Sequence, residues 1–321
     1  LKDVAEQAEV SIATASRVVS GATTVSDDVR QRVLDAAAAL NYQPNLQARA
    51  LRRRGSRVVG LVVPSLANAY YAALADAISQ NLVRRGYHLL LALTADDPAG
   101  ETETLYDMVG QNVAGLILVP SALDSAMLAY LAEHETPAVA IVRRVPGDAL
   151  DTVTFEDTQG AYAATRYLIT LGHRRIGYIG GDEQFSSNRA RWQGYADAMR
   201  DFGVPVDPQL VKIDQLRATW GTLACLDLLK LAAPPTAIFV ASNAVMPGVM
   251  RTLHSQHVDV PAQLSLVCFD DVDWFAFTRP SITAIRSSQA RLAEAAITLL
   301  LERIEQPAAQ TRPPVLLEID F

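Results

Sequence analysis

LKDVAEQAEVSIATASRVVSG, residues 1–21, reads as two short helices joined by a tight turn. Val4, Ala5, Ala8 and Val10 make one apolar stripe, and Ala15, Val18 and Val19 make a second, both at helical spacing. Ser11 stands where an N-cap of the second helix belongs. The next stretch, VSDDVRQRVLDAAAALNYQPN (25–45), continues the pattern. Ser26 is placed to cap a third helix whose inner face is Val29, Val33, Ala36, Ala37 and Leu40. Three helices with such small faces pack closely but share little core, so this is a head on something larger.

Outward from the head, NYQPNLQARALRRRGSR (41–57) is a junction. It holds a proline, one short helical pattern (Leu46, Ala50, Leu51), an arginine run and a glycine, which is the punctuation of a hinge. From Val58 the grammar changes. Strand-like runs at 58–63, 88–93, 115–119, 138–142, 175–179, 237–241 and 265–269 alternate with helical patterns at 70–85, 101–111, 158–171, 189–202, 219–231, 244–256 and 288–305. Strand–helix alternation predicts parallel sheets with right-handed crossovers. There are too many units for one sheet, so two lobes are expected, with a ligand between them near the carboxyl ends of the strands.

Bulk properties narrow the function. The chain has 321 residues, half of them hydrophobic and a fifth charged, the composition of a globular protein of two or three domains. Net charge is −7, but it is unevenly spread. Residues 1–57 carry nine bases and six acids, +3, which leaves 19 bases against 29 acids, −10, for the rest. A basic head on an acidic body fits a protein whose head alone meets phosphates. No apolar run reaches the roughly 18–20 residues that span a bilayer. The polar opening LKDVAEQAEV is no signal peptide, so a cytoplasmic protein is expected. Cys225 and Cys268, far apart in apolar runs, read as buried packing residues. There is no GxSxG elbow, Walker loop or HExxH, and Gly180-Gly181 is a turn without a dinucleotide fingerprint. His254 and His257 have metal-compatible spacing but no third ligand. Neither enzyme chemistry nor a cofactor nor a metal is expected.

The head sequence 1–21 resembles the DNA-binding head of the LacI/GalR repressors. The likeness runs on through 25–45, the hinge LQARALR (46–52), LGHRRIGYIGG (171–181), RWQGY (191–195), PTAIFVASN (235–243), PAQLSLVCFDD (261–271) and RPSITAIR (279–286). It implies a small all-α helix-turn-helix head (1–43), a hinge helix and linker (44–57), and an α/β two-lobed body of the type I periplasmic-binding-protein kind with parallel sheets (58–321). It implies a homodimer on a pseudo-palindromic operator, governed by a small metabolite, in a bacterial cytoplasm at the nucleoid. A periplasmic sugar-binding protein is the rival with a similar body, but it would carry a signal peptide and no basic head. The closing EIDF has none of the leucine heptads with which some relatives tetramerise, so a dimer is expected.

The resemblance also assigns residues. In a helix-turn-helix the second helix enters the major groove. Ile12 and Ala13 fall on the family's operator-discriminating positions and, being apolar, read shape and thymine methyls; Arg17 is able to grip a guanine. Ser11, Thr14 and Ser16 suit phosphates. In the hinge, Asn45 and Arg49 reach phosphates, Ala48 sits where paired hinge helices touch, and Leu51 is the minor-groove wedge. For the effector, the likeness points to Tyr70 and Tyr71 on the first βα loop, Arg191 ahead of the RWQGY helix and Asp270 after the VCF strand. Phe155, Asn243, Phe185 and Ser187 occupy ligand-facing positions where this chain departs from the usual pattern. The family usually has glycine in the turn before the recognition helix; here stands Glu9, and because a left-handed backbone costs such a residue about 1 kcal/mol, an altered turn is expected.

Overall fold

The computed structural model describes residues 2–19, 25–40, 42, 56–306 and 311–321. The expected hinge contacts Asn45, Ala48, Arg49 and Leu51 lie outside the described residues. The chain forms two compact units, Leu1–Ser56 and Arg57–Phe321.

The head contains α1 (Lys2–Gln7), α2 (Ile12–Val19) and α3 (Asp27–Ala39). Its core is small, as the alanine-rich faces require: Val4, Ala5, Ala8, Ala15, Val18, Val33 and Ala36 are buried. Ser11 caps α2, its hydroxyl accepting the Thr14 amide (3.1 Å). Ser26 stands at the cap position of α3, but its side chain makes no cap bond. The turn before α2 corrects an expectation: Glu9 keeps the left-handed conformation (φ 53°). The bond from the Val10 amide back to the Ala5 carbonyl (2.9 Å) holds the turn closed and offsets the steric cost.

In the body, the first sheet is built from β1 (Val58–Val63), β2 (His88–Leu93), β3 (Gly115–Leu118), β4 (Ala138–Ile141), β5 (Asp151–Phe155) and β11 (Val315–Leu317), in the order β11-β5-β4-β3-β1-β2. Its crossovers are α4 (Ala69–Arg84), α5 (Pro98–Gly110) and α6 (Ser125–Glu133). The second sheet comprises β6 (Ile176–Gly180), β7 (Val211–Ile213), β8 (Ala237–Val240), β9 (Ser265–Phe269) and β10 (Thr283–Ile285), in the order β10-β9-β8-β6-β7. It is packed with α7 (Asp157–Thr170), α8 (Ser186–Asp201), α9 (Ala218–Leu229) and α10 (Met246–Ser255). Every strand pair is parallel, and the strand order reverses beside β1 in one sheet and β6 in the other. Both sheets therefore present a crevice at the carboxyl ends of their strands, where doubly wound folds bind ligands.

The chain passes from the first lobe to the second after β5. It returns after β10, when α11 (Gln289–Glu305) buries Leu292, Ile297 and Leu300 in the first lobe's core and β11 extends the sheet beside β5. Among the described residues no helix is long and apolar enough to cross a membrane. Cys225 and Cys268 are free and buried.

Candidate functional site

On the head, α2 turns Ala15 and Val18 inward. Ser11, Ile12, Ala13 and Arg17 are exposed, with Thr14 and Ser16 half-buried. Ile12 is 48% exposed, a large aliphatic chain left in solvent on the helix's outer face. The Ser11 and Thr14 hydroxyls also bond each other (2.9 Å), which fixes the first turn of that helix.

In the body, polar residues follow the carboxyl ends of strand after strand: Asp96 after β2, Arg143 and Arg144 after β4, Asp157 after β5, Asn243 after β8 and Asp270 after β9. At the centre is a buried ion cluster. Arg191 donates Nε–H to Asp157 Oδ1 (2.8 Å), and its Nη1 lies 2.8 Å from the Ala241 carbonyl and 3.4 Å from Asp270 Oδ2. The guanidinium stacks on Phe269, 3.8 Å from the ring centroid. Asp270 also accepts from Asn243 (3.3 Å) and from the Ser287 hydroxyl (2.7 Å). One cation serves two carboxylates in a buried site. Burial pushes the Asp157 carboxyl up to about 6, against the pull of Arg191, and Asp270 adds to the rise. Burial works against the charge on Arg191, but Asp270 and Asp157 outweigh it and raise the guanidinium above its ordinary value.

Tyr70 and Tyr71 close this centre from the first lobe. They do not lie on a loop: Asn68 caps α4 through the Tyr70 amide (3.0 Å), so both tyrosines belong to its first turn. The rings meet edge to face at 5.6 Å. The Tyr70 hydroxyl is buried beside Asp270 without a hydrogen-bond partner, and neighbouring Ser287 gives its proton to Asp270. Burial, then Asp270, pushes the Tyr70 phenol well above its usual range.

The expected effector residues thus fall into two sets. Tyr70, Tyr71, Arg191, Asn243 and Asp270 come together in the buried centre. Phe185, Ser187 and Phe155 stand nearer to open space. A cavity of about 700 Å³ is lined by Phe185, and one of about 260 Å³ by Phe155 and Ser187. The helix carrying Arg191 begins at Ser186, so Arg191 lies within α8 rather than ahead of it, Ser187 lies in its first turn and Phe185 is its N-cap.

Further residues shape the site around the arginines, and of these Asp96, Val142 and Glu101 carry no signal in the sequence. Arg143 grips Asp96 (2.6 Å) and faces the Phe185 ring at 3.8 Å across the cleft. Its direction is set by Val142, held left-handed (φ 65°) in a tight turn closed from the Arg143 amide to the Ile141 carbonyl (2.6 Å). That conformation is costly for a β-branched residue, of order 1–3 kcal/mol, and such strain concentrates at ligand clamps. Glu101 on α5 is buried and accepts the amides of Ser121 and Ala122 (2.6 and 3.3 Å), which fixes the loop after β3. Among the described residues no group of three or more His, Cys, Asp and Glu side chains is placed to hold a metal.

Two family models match the chain: bacterial regulatory proteins of the lacI family over residues 1–45, and a periplasmic binding protein-like domain over 165–319. The transcriptional regulator GalR of Escherichia coli K12 is 32% identical over 301 residues, 94% of this chain and 88% of the relative. The ribose operon repressor of Haemophilus influenzae is 30% identical over 317 residues, 98% of this chain and 95% of the relative. Among solved structures, the Lac repressor bound to ONPG in its repressed state superposes with a TM-score of 0.84 at 25% identity, covering 99% of this chain and 96% of that one. These relatives are regulators rather than enzymes. With a helix-turn-helix head and a two-lobed parallel α/β body matched along nearly its whole length, the chain belongs to the LacI family of bacterial transcriptional regulators.

Proposed function

We propose that the chain is a repressor that binds a pseudo-palindromic operator as a homodimer in the cytoplasm and is switched by a small metabolite, a sugar or related compound, held between the lobes. The observation that carries this reading is the convergence of both sheets' carboxyl ends on one charged, tyrosine-closed centre, in a chain whose head exposes the outer face of α2. On the head, Ile12 and Ala13 read base edges, Arg17 contacts a guanine, and Ser11, Thr14 and Ser16 set register on phosphates. Residues 44–57 form the linker, with Leu51 as wedge, Ala48 at the helix pair, and Asn45 and Arg49 on the backbone. In the body, Asp270, Asn243 and Arg191 offer acceptors and donors to ligand hydroxyls, and the unpartnered Tyr70 hydroxyl is a further donor. Tyr71, Phe155 and Phe185 supply apolar surface, and Ser187 a hydroxyl. A solved relative, the regulator CelR, was obtained as a cellobiose complex (TM-score 0.75, 28% identity, 99% of this chain and 97% of that one), which supports a carbohydrate at the corresponding place.

Selection of bound sequences from a random duplex pool by the purified chain tests the reading. Inverted repeats are expected to be enriched, and Arg17→Ala should bind them about 10- to 100-fold more weakly while relaxing one symmetric base position. Enrichment of no sequence over bulk DNA would overturn the assignment as an operator-specific regulator.

A further inference from the structure

The buried centre does not fill the cleft. Beside it, the 700 Å³ cavity opens between the loops after β3 and β4 and the first turn of α8. That is within the usual 300–1,000 Å³ of a small-molecule site. Three arginines line it, Arg143, Arg144 and Arg189, against two acids, Asp124 and Asp148. Both acids are engaged. Asp148 takes Arg144 in a two-pronged ion pair (2.8 Å to each oxygen), and Asp124 caps α6 by accepting the Met127 amide (2.8 Å).

The other two arginines, Arg189 and Arg143, each keep a donor free of any carboxylate, although Arg143 also holds Asp96 and the Pro120 carbonyl. Arg189 donates to the Glu183 carbonyl (3.0 Å) and pairs with no carboxylate among the described residues. Arg143 is 5% exposed, and although Asp96 holds its tips, its Nε is buried without an acceptor; the Ser121 hydroxyl on the same wall is also buried and unpartnered. The N-cap of α8 is Phe185, which offers no side-chain acceptor to the amides of the first turn. First-turn amides that receive no N-cap side chain, and the positive end of a 16-residue helix, therefore meet the same space as Arg189. A neutral polyol would leave Arg189 without a counter-charge. An oxyanion would supply one, and a guanidinium fork fits carboxylate and phosphate alike.

We propose that the effector carries an oxyanion, a carboxylate or a phosphate ester, and that this cavity receives it between Arg143, Arg189 and the start of α8 while the uncharged remainder faces the Arg191–Asp270 centre. The proposal rests on the reading of the cleft as the effector site.

The test uses the full chain and matched trios at constant ionic strength: glucose, glucose 6-phosphate and glucuronate; galactose, galactose 6-phosphate and galacturonate; ribose, ribose 5-phosphate and ribonate. The unfolding midpoint should rise for a phosphate or an acid whose neutral parent does nothing, by about 5 °C at a hundredfold excess over Kd. Which of the two charged members acts tells phosphate from carboxylate. Arg189→Gln, at an exposed position, should keep the unliganded midpoint and bind the active anion about 10- to 100-fold more weakly. Neutral parents that bind as tightly as their anions, or an Arg189→Gln variant that loses no affinity, would overturn the anion site and leave a metabolite-controlled cleft standing. If no member of any trio moves the midpoint or the operator complex, the reading of the cleft falls and takes the anion site with it.

Discussion

At the residue scale the most informative group is Asp157. It shares Arg191 with Asp270 at 6% side-chain exposure, and burial raises its carboxyl from 3.8 to about 6. A carboxyl whose folded pKa is raised stabilises the fold below its unfolded pKa, and that contribution is lost as pH climbs through the folded value. The window runs from about pH 4 to about pH 6. A rise of that size is worth about 3 kcal/mol in all, of which about 2 falls between pH 4.5 and 7.5. Asp157→Asn keeps an acceptor for Arg191 Nε–H and removes the titration. Its unfolding free energy relative to wild type, taken from denaturant curves without ligand, should therefore improve by about 2 kcal/mol between those pH values; a difference that is flat or of opposite sign would refute a raised Asp157. This residue was invisible in the sequence for a physical reason. An Asp at the first position of a helix is ordinarily there for the helix dipole, and only the fold brings Arg191, 34 positions away, against it. Arg191 and Asp270 were legible because short motifs surround them. Glu9 was misjudged because propensity speaks for an isolated residue, whereas the backbone bonds of the turn decide.

Elements were legible where their period was strong. The seven expected strands and seven expected helices of the body all form. The strands missed were β5, β7, β10 and β11. β7, β10 and β11 have three residues each, too few to show an alternation, and all three are edges. In β5 the run DTVTF looks polar, yet it is buried, because Arg303 and the Arg312 amide bind Asp151 (2.6 and 2.8 Å). The sequence was equally silent on how helices approach. At Gly194 in α8 a Cβ would lie 2.2 Å from the Thr158 carbonyl oxygen of α7, and at Gly248 in α10 one would lie 1.8 Å from the Ala218 carbonyl oxygen of α9. The glycine of RWQGY is thus there to let two backbones touch. Gly194→Ala must push the helices apart and should destabilise by about 1–3 kcal/mol. Gly110→Ala, at the open end of α5, meets nothing within 4 Å and should be neutral or stabilising by about 0.5–1 kcal/mol. Denaturation of the two variants side by side checks this; equal effects would mean that α7 and α8 do not pack as closely as described.

For the whole molecule, the two-lobed body follows from counting strand–helix units, but the contacts that join the lobes are long-range and left no local pattern. From the first lobe, Arg143 lies on Phe185 of the second, and the Arg144 amide donates to the Ser186 hydroxyl (2.8 Å). These contacts favour lobes in apposition before any effector arrives. An effector seated between the lobes must favour apposition further, so the latch and the ligand act in the same direction on one equilibrium. Phe185→Leu removes the ring beneath Arg143 but keeps apolar bulk. A cation–π contact is worth about 0.5–2 kcal/mol, which is a shift of about 2- to 30-fold in the lobe equilibrium. Without effector, the variant should therefore change operator affinity in the sense opposite to the change that saturating effector produces in wild type. That sign holds whether the effector releases the operator or tightens it. Titration of fluorescent operator with both proteins at one salt concentration measures it, since phosphate contacts make affinity steeply salt-dependent. A shift in the same sense as the effector's would mean that the contacts across the cleft oppose the liganded state, and an unchanged affinity would mean that lobe apposition is not what the head feels.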